Sequence, residues 1–434
     1  MKLKRILLVV PSARFEFIDP PLGLNYLKAA LDHSGLSVTT KIIDLNRQDN
    51  FQKIILEYNP NIIGVSVTQP LTFQAINIAI QAKAISKKII LVAGGPQPTI
   101  TPAEFLEHYD VVVRGEGEQT LVRLVKTLDR AAWESIHGIS YQKDGSIKHN
   151  ASRELVDNID LIHFPSIENL IDYKEYKFEQ QQLAPMITSR GCPYNCIFCA
   201  KEVFGHKTRS RTPVNIIAEM KQIHLAKGIN TFQFRDDTFT FHRERVIEFC
   251  GRLVTEGHQF TWLCNTRADL LDQNLIKYMH KAGCRRISLG VETGDQNLLD
   301  ILKKNIRIEQ VLRATDWAHL QGIKVKYFLM IGIPGQTEKS VQETKKLIRI
   351  GKPDEIYCSI FLPLPGTYAW QNQKNLGVKF LFDQDNILEW EKIYYQSNLD
   401  YTEAPSPIET DLMSSDDIIK FRKEIFETFY ESRK

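Results

Sequence analysis

The chain has 434 residues, of which 43% are hydrophobic and 25% are charged, so it is long enough for two or three globular domains with large cores. Its formal net charge of +3 is small for this length and gives no reason to expect nucleic acid or a membrane surface as a partner. No apolar stretch approaches the ~20 residues of a membrane-spanning helix. We therefore expect a cytoplasmic protein without a membrane span, whose thiols stay reduced.

The first 130 residues predict a parallel sheet. Five short apolar runs alternate with helical patterns, from "RILLVV" at 5–10 to "DVVVRGEGE" at 110–118. Continuous apolar strands separated by helices are typical of a parallel sheet that is covered on both faces. Residues 1–130 are therefore predicted to form a doubly wound, Rossmann-like (flavodoxin-like) domain. Such α/β domains bind ligands at the carboxyl ends of their strands.

Small and turn-forming residues follow the predicted strands of this domain. For any single loop the simpler interpretation is that glycine and proline terminate a strand, but four such loops on one edge favour a binding site. The candidates for ligand contacts at this edge are Ser12, Ser66, Thr68, Gly94, Gly95, Gly115 and Glu116.

The remainder of the chain divides into three predicted regions. Residues 131–183 are interpreted as a linker with a hairpin that turns at Asp144 and Gly145. Residues 184–370 contain six predicted strands, short of the eight in a closed barrel, so we expect a partial (β/α)6 barrel with its site on the loops after the strands. Residues 371–434 are expected to form a short helical region that covers the open part of the barrel.

The stretch "SRGCPYNCIFCA" places three of the seven cysteines, Cys192, Cys196 and Cys199, in the loop after the first barrel strand. Gly191 and Pro193 prevent a continuous helix, so the thiols can converge. Three thiolates can bind three irons of a cubane cluster and leave the fourth iron open, just as a catalytic zinc site keeps an open position.

A structural zinc site is the alternative for these cysteines. His206 could be a fourth ligand, but structural zinc usually takes two pairs of ligands and the chain has no second CxxC pair. The other four cysteines lie in helical or strand patterns and are interpreted as buried apolar residues: Cys250, Cys264, Cys284 and Cys358.

The CxxxCxxC spacing, with Phe198 before the last cysteine, resembles the signature of radical S-adenosylmethionine (SAM) enzymes. The phrases "RDDTFTF", "CNTRADLL" and "MIGIPGQTE" further along the chain also match that family. The N-terminal phrases "PPLGLNYLKAALDHSG", "VAGGPQPTITPAEFL" and "DVVVRGEGEQTL" resemble the cobalamin-binding domain that precedes the barrel in one large subfamily. The resemblance covers nearly the whole chain up to about residue 370.

The resemblance implies that Cys192, Cys196 and Cys199 hold a [4Fe-4S] cluster whose fourth iron binds the amino and carboxylate groups of SAM. An electron from the cluster would cleave SAM to methionine and a 5′-deoxyadenosyl radical, which abstracts hydrogen from an unactivated carbon.

Residues that follow the later barrel strands are the candidates for SAM contacts. The resemblance implies a contact with the SAM amino group at Asp236 or Asp237, with the carboxylate at Arg267 and with the ribose at Glu292. The alternatives are helix-capping acids and a surface arginine. The other residues predicted to contact the cofactors are Phe198, Asn265, Ile333 and Pro334.

Two features of the first domain limit the resemblance. Many cobalamin domains carry a D-x-H-x-x-G motif, but the spacing around His33 is wrong, and we interpret His33 as a surface residue at a helix end. Cobalamin would then bind with its lower position empty, or filled by water or a nearby side chain. No cysteine precedes Cys192, so the second cluster of methylthiotransferases cannot form there.

We therefore expect a cobalamin-dependent radical SAM methyltransferase acting on an unactivated carbon or phosphorus of a small metabolite or lipid precursor. An electron donor such as flavodoxin or ferredoxin would be its protein partner. The alternative is an enzyme that uses the same cofactors for cyclisation or rearrangement without methyl transfer. A zinc-stapled module without enzymatic activity is the third hypothesis.

Overall fold

The computed structural model describes residues 3–12, 20–47, 50–168, 173–387, 389–390, 393 and 405–434. The chain forms two compact units. The first consists of Met1–Tyr176, Lys201–Gly205 and Asn386–Lys392. The second consists of Lys177–Ala200, His206–Asp385 and Ile393–Lys434. The proposed division at residues 130, 183 and 370 therefore differs in detail from these units and remains a proposal.

The first unit is built on a seven-stranded sheet with helices on both faces. Its elements are β1 (Lys4–Val10), α1 (Leu22–Asp32), β2 (Val38–Asp44), α2 (Phe51–Tyr58), β3 (Ile62–Ser66), α3 (Thr72–Ile85), β4 (Ile90–Gly94), α4 (Pro96–Ile100), α5 (Pro102–Leu106), β5 (Val111–Val113), α6 (Glu118–Lys126), β6 (Ile139–Lys143) and β7 (Ser146–His149).

The order of the parallel strands confirms the predicted flavodoxin-like fold. Strands β1 to β5 are parallel and lie in the order 2-1-3-4-5. Successive residues of β1 enter two separate hydrophobic clusters, with Leu7 and Val9 on one face and Ile6 and Leu8 on the other. Burial on both faces explains why these strands read as unbroken apolar runs.

The predicted hairpin at Asp144 and Gly145 is present, but it does not belong to a linker. Both residues have positive φ, 50° and 74°, as a tight hairpin turn requires. Strand β6 pairs antiparallel with β5, so the hairpin β6–β7 extends the first sheet. The sequence indicates the hairpin turn but not the strand with which the hairpin pairs. For this reason the hairpin was assigned to the linker and not to the first sheet.

The second unit is built on another seven-stranded sheet, with the order β16-β15-β14-β13-β12-β9-β8. Its elements are β8 (Lys177–Phe178), β9 (Gln181–Met186), β10 (Ser189–Arg190), β11 (Arg209–Ser210), α7 (Pro213–Lys227), β12 (Thr231–Phe234), α8 (Arg243–Thr255), β13 (Thr261–Thr266), α9 (Gln273–Lys281), β14 (Cys284–Glu292), α10 (Gln296–Ile301), α11 (Ile308–Leu320), β15 (Lys324–Ile331), α12 (Glu338–Gly351), β16 (Glu355–Ile360), α13 (Tyr368–Gln371), β17 (Val378–Phe380), β18 (Ile408–Thr410) and α14 (Ser415–Ser432).

Six parallel strands, β9 and β12 to β16, confirm the predicted partial barrel. Helix α7 begins as its sequence predicts, because the Thr212 side chain accepts a hydrogen bond from the backbone N–H of Asn215 and Pro213 occupies the first turn. The outer helices pack on one face of the sheet, which leaves the inner face for the site.

The C-terminal region covers the edge of the barrel at β16. Helix α14 begins at a capping box between Ser414 and Asp417, as its sequence predicts. The Arg422 Nε on α14 donates to the Cys358 carbonyl of β16 at 3.0 Å. Strands β17 and β18 form an antiparallel pair that the sequence analysis did not predict. The predicted helix "ILEWEKIYYQ" at 387–396 lies mostly outside the described residues, and no described helix is long and apolar enough to cross a membrane.

Candidate cofactor sites

The cysteine loop is closed at its base by a short antiparallel ladder. Ser189 pairs with Ser210 and Arg190 pairs with Arg209, so the chain leaves and rejoins the barrel at one point. Gly191 has φ 85°, a conformation that favours glycine, and turns the chain directly before Cys192. The loop between these strands thus has a fixed base before any cofactor is considered.

Asp236 holds the residues that precede the cysteines. Its carboxylate is 1% exposed and accepts hydrogen bonds from the backbone N–H of Thr188 at 2.6 Å and the Ser189 hydroxyl at 2.7 Å. The Thr188 hydroxyl also donates to it. Arg245 lies 3.9 Å from the carboxylate and donates to the Thr188 carbonyl at 2.8 Å. Asp236 was predicted to contact SAM, but its hydrogen bonds commit it to the base of the cysteine loop.

Arg267 contacts the loop from the end of β13. Its guanidinium bonds both oxygens of Asp269, at 3.0 and 3.1 Å, and the Lys304 carbonyl at 2.7 Å. It also lies 3.6 Å from the centre of the Tyr194 ring, a cation–π contact. Tyr194 stands between Cys192 and Cys196, so Arg267 positions the loop itself; its predicted contact with the SAM carboxylate stays a prediction.

The turn after α10 fixes the middle of the loop. The backbone N–H of Ile197 donates to the Leu302 carbonyl at 3.2 Å, and the N–H of Ala369 donates to the Ile197 carbonyl at 2.9 Å. Lys303 and Asn305 both have positive φ, 53° and 52°, which is uncommon for residues other than glycine. This turn bends sharply so that Lys304 can point towards the cysteines.

A buried ion pair of Glu292 and Lys304 lies beside the cysteines. The Lys304 Nζ donates to Glu292 Oε1 at 2.5 Å, and both residues are less than a tenth exposed. The same Nζ lies 5.8 Å from the centre of the Phe198 ring. Glu292 has φ 67°, and a side chain at Gly290 would overlap the Lys304 ammonium, so the local backbone is adapted to this pair.

The electrostatic environment of Cys196 is mixed. Burial raises the pKa of the Cys196 thiol, while the nearby positive charges of Lys304 and Arg267 act to lower that pKa. The negative charges of Glu292 and Cys192 oppose the cations. Burial is the largest of these effects, so the pKa of the Cys196 thiol is raised overall, and the two cations offset the effect of burial only in part. The cations act in favour of the thiolate, which is the form that binds metal.

The three thiols do not converge on one point. Among the described residues, no group of three histidine, cysteine, aspartate or glutamate side chains is placed to hold a single metal ion. In a cubane each thiolate binds a different iron, so the three sulfurs need not meet as they would around one zinc ion. Cys250, Cys264, Cys284 and Cys358 are buried, as predicted.

The remaining candidates for SAM contacts lie at the same edge of the barrel sheet. Asp237 is exposed just after β12, and Asn265 is partly exposed on β13. Ile333 and Pro334 follow β15 and are buried. The backbone N–H groups of Gly332 and Ile333 donate to Gln336 Oε1 at 2.7 and 3.1 Å, so this turn is held by its own side chain.

Three residues of the site escaped the sequence analysis. Tyr194 received no role, although its place between two cysteines was a signal. Thr238, whose hydroxyl lies 4.0 Å from the Cys192 sulfur, follows the two aspartates that were singled out. Lys304 had no local signal, because only the fold brings it to Glu292, 12 residues earlier.

In the first unit, the predicted ligand residues share one edge of the sheet. They follow β1, β3, β4 and β5, which are neighbours and parallel, so their carboxyl ends meet. Gly95 has φ 98° and ψ −172°, which only glycine adopts readily, and an added Cβ would lie 2.9 Å from the backbone of Val67. Gly115 also has positive φ, 72°. The glycines therefore leave space at this edge that larger side chains would occupy.

A pocket of about 270 Å³ opens at this edge. It is lined by Thr99, Arg114, Gly115, Glu116, Ser152, Arg153, Glu154, Leu155, Glu202 and Val203, all in the first unit. Glu116 was predicted to contact the cofactor, but it is buried and its Oε2 accepts the backbone N–H of Val156 at 3.0 Å. The Glu116 carboxylate therefore shapes the wall of the pocket by its hydrogen bond to the Val156 backbone.

His33 is an exposed residue at a helix end, as predicted, and it is remote from this edge. It caps the carboxyl end of α1, which leads into β2, so it lies at the opposite edge of the sheet. Its Nδ1 bonds the Ala29 carbonyl at 2.9 Å, and its ring stacks on His163 at 4.2 Å. The structure gives His33 no place as a cobalt ligand at the glycine-lined edge.

Comparison with known protein families matches both parts of the chain. Residues 186–348 match the model of the radical SAM superfamily, and residues 9–125 match the model of the B12 binding domain. The first match contains the three cysteines and most barrel strands, and the second contains the parallel strands β2 to β5. The predicted pairing of a cobalamin-binding domain with a radical SAM barrel is confirmed.

Two curated relatives align along most of the chain. An uncharacterised methyltransferase of Pyrococcus horikoshii is 32% identical over 388 residues, which are 86% of this chain and 83% of that protein. The anaerobic magnesium-protoporphyrin IX monomethyl ester cyclase of Rubrivivax gelatinosus is 28% identical over 385 residues, which are 85% of this chain and 69% of that protein.

A solved structure shows the same fold. The radical SAM methyltransferase TsrM from Kitasatospora setae, determined with cobalamin and a [4Fe-4S] cluster bound, superposes with a TM-score of 0.78 at 18% identity. The match covers 99% of this chain and 91% of TsrM. The chain therefore belongs to the radical SAM enzymes that carry an N-terminal cobalamin-binding domain.

Proposed function

We propose that this enzyme is a cobalamin-dependent methyltransferase that acts on an unactivated carbon or a phosphorus atom of a small metabolite or lipid precursor. The observation that carries the proposal is the three-cysteine loop, which is held by hydrogen bonds at the carboxyl ends of six parallel strands. The same chain contains a first sheet with a glycine-lined edge. Of the two relatives described, the methyltransferase is the more similar one, which favours methyl transfer over cyclisation.

Cys192, Cys196 and Cys199 would hold the [4Fe-4S] cluster and leave one iron open for SAM. The residues fit this group in two respects. None of the three cysteines is in a disulfide, and the base and the middle of their loop are held by hydrogen bonds that do not involve the sulfurs. The nearby charges of Lys304 and Arg267 would favour thiolates and a negatively charged cluster.

Two of the predicted SAM contacts are reassigned by their neighbours. Because Asp236 is committed to Thr188 and Ser189, we assign the contact with the SAM amino group to the exposed Asp237. Because Arg267 is engaged by Asp269 and stacked on Tyr194, we assign it first to positioning the loop, and its contact with the SAM carboxylate stays a proposal. Glu292 keeps its proposed contact with the ribose, and the other proposed contacts are Phe198, Asn265, Ile333 and Pro334.

Cobalamin would bind at the glycine-lined edge of the first sheet. Gly94, Gly95 and Gly115 let a large flat ligand approach the backbone, and Ser66 and Thr68 supply hydroxyl groups there. Ser12 lies at the same edge after β1. His33 lies at the opposite edge, so the lower position of cobalt would stay empty or take water or another side chain.

When bound, the cluster and SAM supply the radical that activates the substrate, and cobalamin carries the methyl group. The chain's own residues bind and orient these groups. Asp236 and Arg245 fix the base of the cysteine loop, and Lys304 holds Glu292 through the buried ion pair. An electron donor such as flavodoxin or ferredoxin and a cytoplasmic location are part of the proposal, in keeping with seven cysteines that form no disulfide.

The proposal is tested with anaerobically reconstituted protein, SAM labelled in its methyl group, hydroxocobalamin, a chemical reductant and a small-molecule extract of cells. We expect S-adenosylhomocysteine and 5′-deoxyadenosine to accumulate together, with the label in a new product. Formation of 5′-deoxyadenosine without S-adenosylhomocysteine would contradict methyl transfer. That result would instead support the second candidate, a cyclase or rearrangement enzyme, which the similarity to the Rubrivivax cyclase favours.

A further inference from the structure

The inner face of the barrel sheet carries a charged cluster, which we define as Arg286 on β14, Lys326 on β15 and Glu355 on β16. The Arg286 Nη1 donates to both carboxylate oxygens of Glu355 at 3.1 Å, and the Lys326 Nζ lies 3.6 Å from the same carboxylate. The Arg286 Nη2 also donates to Gln233 on β12 at 3.2 Å. Two cations thus share one carboxylate.

The charged cluster lies on the concave side of the sheet. Arg286 reaches Glu355 and Gln233, each two strands away in opposite directions. Neighbouring strands are ~4.8 Å apart, so a side chain can bridge both ways only where the sheet curls around it. The cluster therefore faces the interior of the partial barrel.

The part of this interior around the charged cluster is accessible to solvent. The side chains of Arg286, Lys326 and Glu355 are 16%, 24% and 37% exposed. The residues that alternate with them on the outer face, such as Ile287 and Val325, are fully buried. A fully packed barrel core would bury both sets of side chains, so the space around these three side chains is not filled by the protein.

The charge inside this space is unbalanced in favour of cations. Burial and the neighbouring guanidinium groups of Arg286 and Arg235 lower the pKa of Lys326, and Glu355 offsets this only in part. The Arg286 Nε is buried and has no hydrogen-bond partner among the described residues. A donor without an acceptor and two cations on one carboxylate are groups that an anion would satisfy.

An aromatic pair lies next to the charged cluster on the same face. Phe328 and Tyr357 occupy the positions two residues further along β15 and β16, and their rings meet edge to face at 6.1 Å. Both side chains are partly exposed. Along the strand direction this pair lies between the charged cluster and the carboxyl ends that carry the cysteine loop. A ligand held here could extend its apolar part from the charged cluster towards the cofactors.

We propose that the substrate is a small anionic molecule, and that its phosphate, phosphonate or carboxylate group binds at Arg286 and Lys326 inside the barrel. This inference rests on the proposed function, because it names the substrate class of the same site. It favours a charged metabolite over a neutral hydrocarbon, whose burial against two cations would cost their hydration without any compensating contact.

The test is the binding of inorganic phosphate to the anaerobically reconstituted protein by calorimetry, at constant ionic strength kept with chloride. Acetate is titrated separately and decides between a phosphoryl and a carboxylate group. We expect saturable binding of one of the two anions. Lys326→Met should weaken this binding about tenfold or more, while Glu355 stays paired with Arg286.

Lys324→Met is the matched control, because Lys324 lies on the same strand but is exposed and pairs with Glu179 at 2.8 Å. It should bind the anion as the wild type does. If Lys326→Met fails to fold, Arg235→Met on an exposed residue should still weaken binding. Equal affinity in wild type and Lys326→Met, equal weakening by Lys324→Met, or no binding of either anion would overturn the proposal.

This outcome is separable from that of the proposed function. Anion binding is measured without SAM cleavage, so a protein that binds phosphate through Lys326 but forms no S-adenosylhomocysteine would retain the anion site and refute methyl transfer. The reverse result, labelled product without an anion site, would refute only the substrate class.

Discussion

The two large sheets of this molecule use their residues in different ways. In the first sheet both faces are packed, since Ile6 and Leu8 enter one hydrophobic cluster and Leu7 and Val9 enter another. In the barrel sheet the outer face is packed with apolar side chains such as Ile287 and Val325, while Arg286 and Lys326 lie partly exposed on the inner face.

The difference determines where each sheet can bind a ligand. A sheet covered on both faces offers only its edge, and the first sheet binds through loop backbone made accessible by glycine. A curled sheet can also bind a ligand through side chains on its concave face. The barrel sheet carries charged side chains on that face, and the cysteine loop follows its first strand. Substitutions in the first sheet should therefore disturb cobalamin alone, and substitutions in the barrel should disturb the cluster and the substrate.

The largest expected effect is that of Cys196→Ala. Removal of one of three thiolates should prevent assembly of the cluster, and with it all cleavage of SAM, because the loop has no fourth cysteine to replace it. Iron and sulfide content after anaerobic reconstitution is the measurement. Cys250→Ala, on the buried face of α8, is the control and should keep its iron. Full SAM cleavage by Cys196→Ala would refute the assignment.

The next effect is that of Asp236→Asn. Its loss of charge leaves the buried Arg245 without its carboxylate and weakens three hydrogen bonds at the base of the loop, so we expect a loss of about 3 kcal/mol of stability. Denaturant unfolding and iron content are the measurements, and both should fall.

Asp237→Asn is the matched control for that change. Asp237 is exposed, so the variant should keep its stability and iron content and lose affinity for SAM. If Asp236→Asn kept its iron while Asp237→Asn lost it, the roles of the two aspartates would be reversed.

Gly95→Ala tests the first sheet and its proposed binding of cobalamin. The backbone of Gly95 lies in a region that other residues avoid, and the added Cβ would meet Val67, so we expect a cost of about 2 kcal/mol and weaker binding of hydroxocobalamin. Iron content should not change. Gly23→Ala in α1, where a Cβ meets open space, is the control and should bind cobalamin normally. A parallel loss of iron in Gly95→Ala would show that the two sites depend on each other.

The smallest expected effect is that of Arg267→Lys. Lysine cannot bond both oxygens of Asp269 while stacking on Tyr194, so about 1 kcal/mol of loop stabilisation should be lost. The cluster should assemble but lose iron to a chelator faster than in the wild type. The exposed Arg285→Lys is the control, and equal rates of iron loss in both variants would argue against a positioning role.

The sequence predicted the architecture well because strand order and helix caps follow from local patterns. The six barrel strands and the hairpin turn at Asp144 and Gly145 all lie where the pattern places them. The roles of two adjacent aspartates could not be told apart from the sequence. Asp236 and Asp237 follow the same strand, and only the fold shows that the first turns into the buried network and the second towards solvent.

Contacts between distant segments could not be predicted at all. Lys304 lies in a turn with no helical or strand pattern, and its ion pair with Glu292 depends on two positive φ angles on either side of it. The charged cluster is a similar case. Arg286, Lys326 and Glu355 come from three strands, and each alone reads as an ordinary polar residue in an alternating strand.

The most direct test of the whole account is the metal and cofactor content of the wild-type protein after anaerobic reconstitution with iron, sulfide and hydroxocobalamin. We expect about four irons and four sulfides per chain, together with one cobalamin. Zinc in place of iron, or a chain that never takes up iron and sulfide under these conditions, would contradict the assignment of the three cysteines and every role built on it.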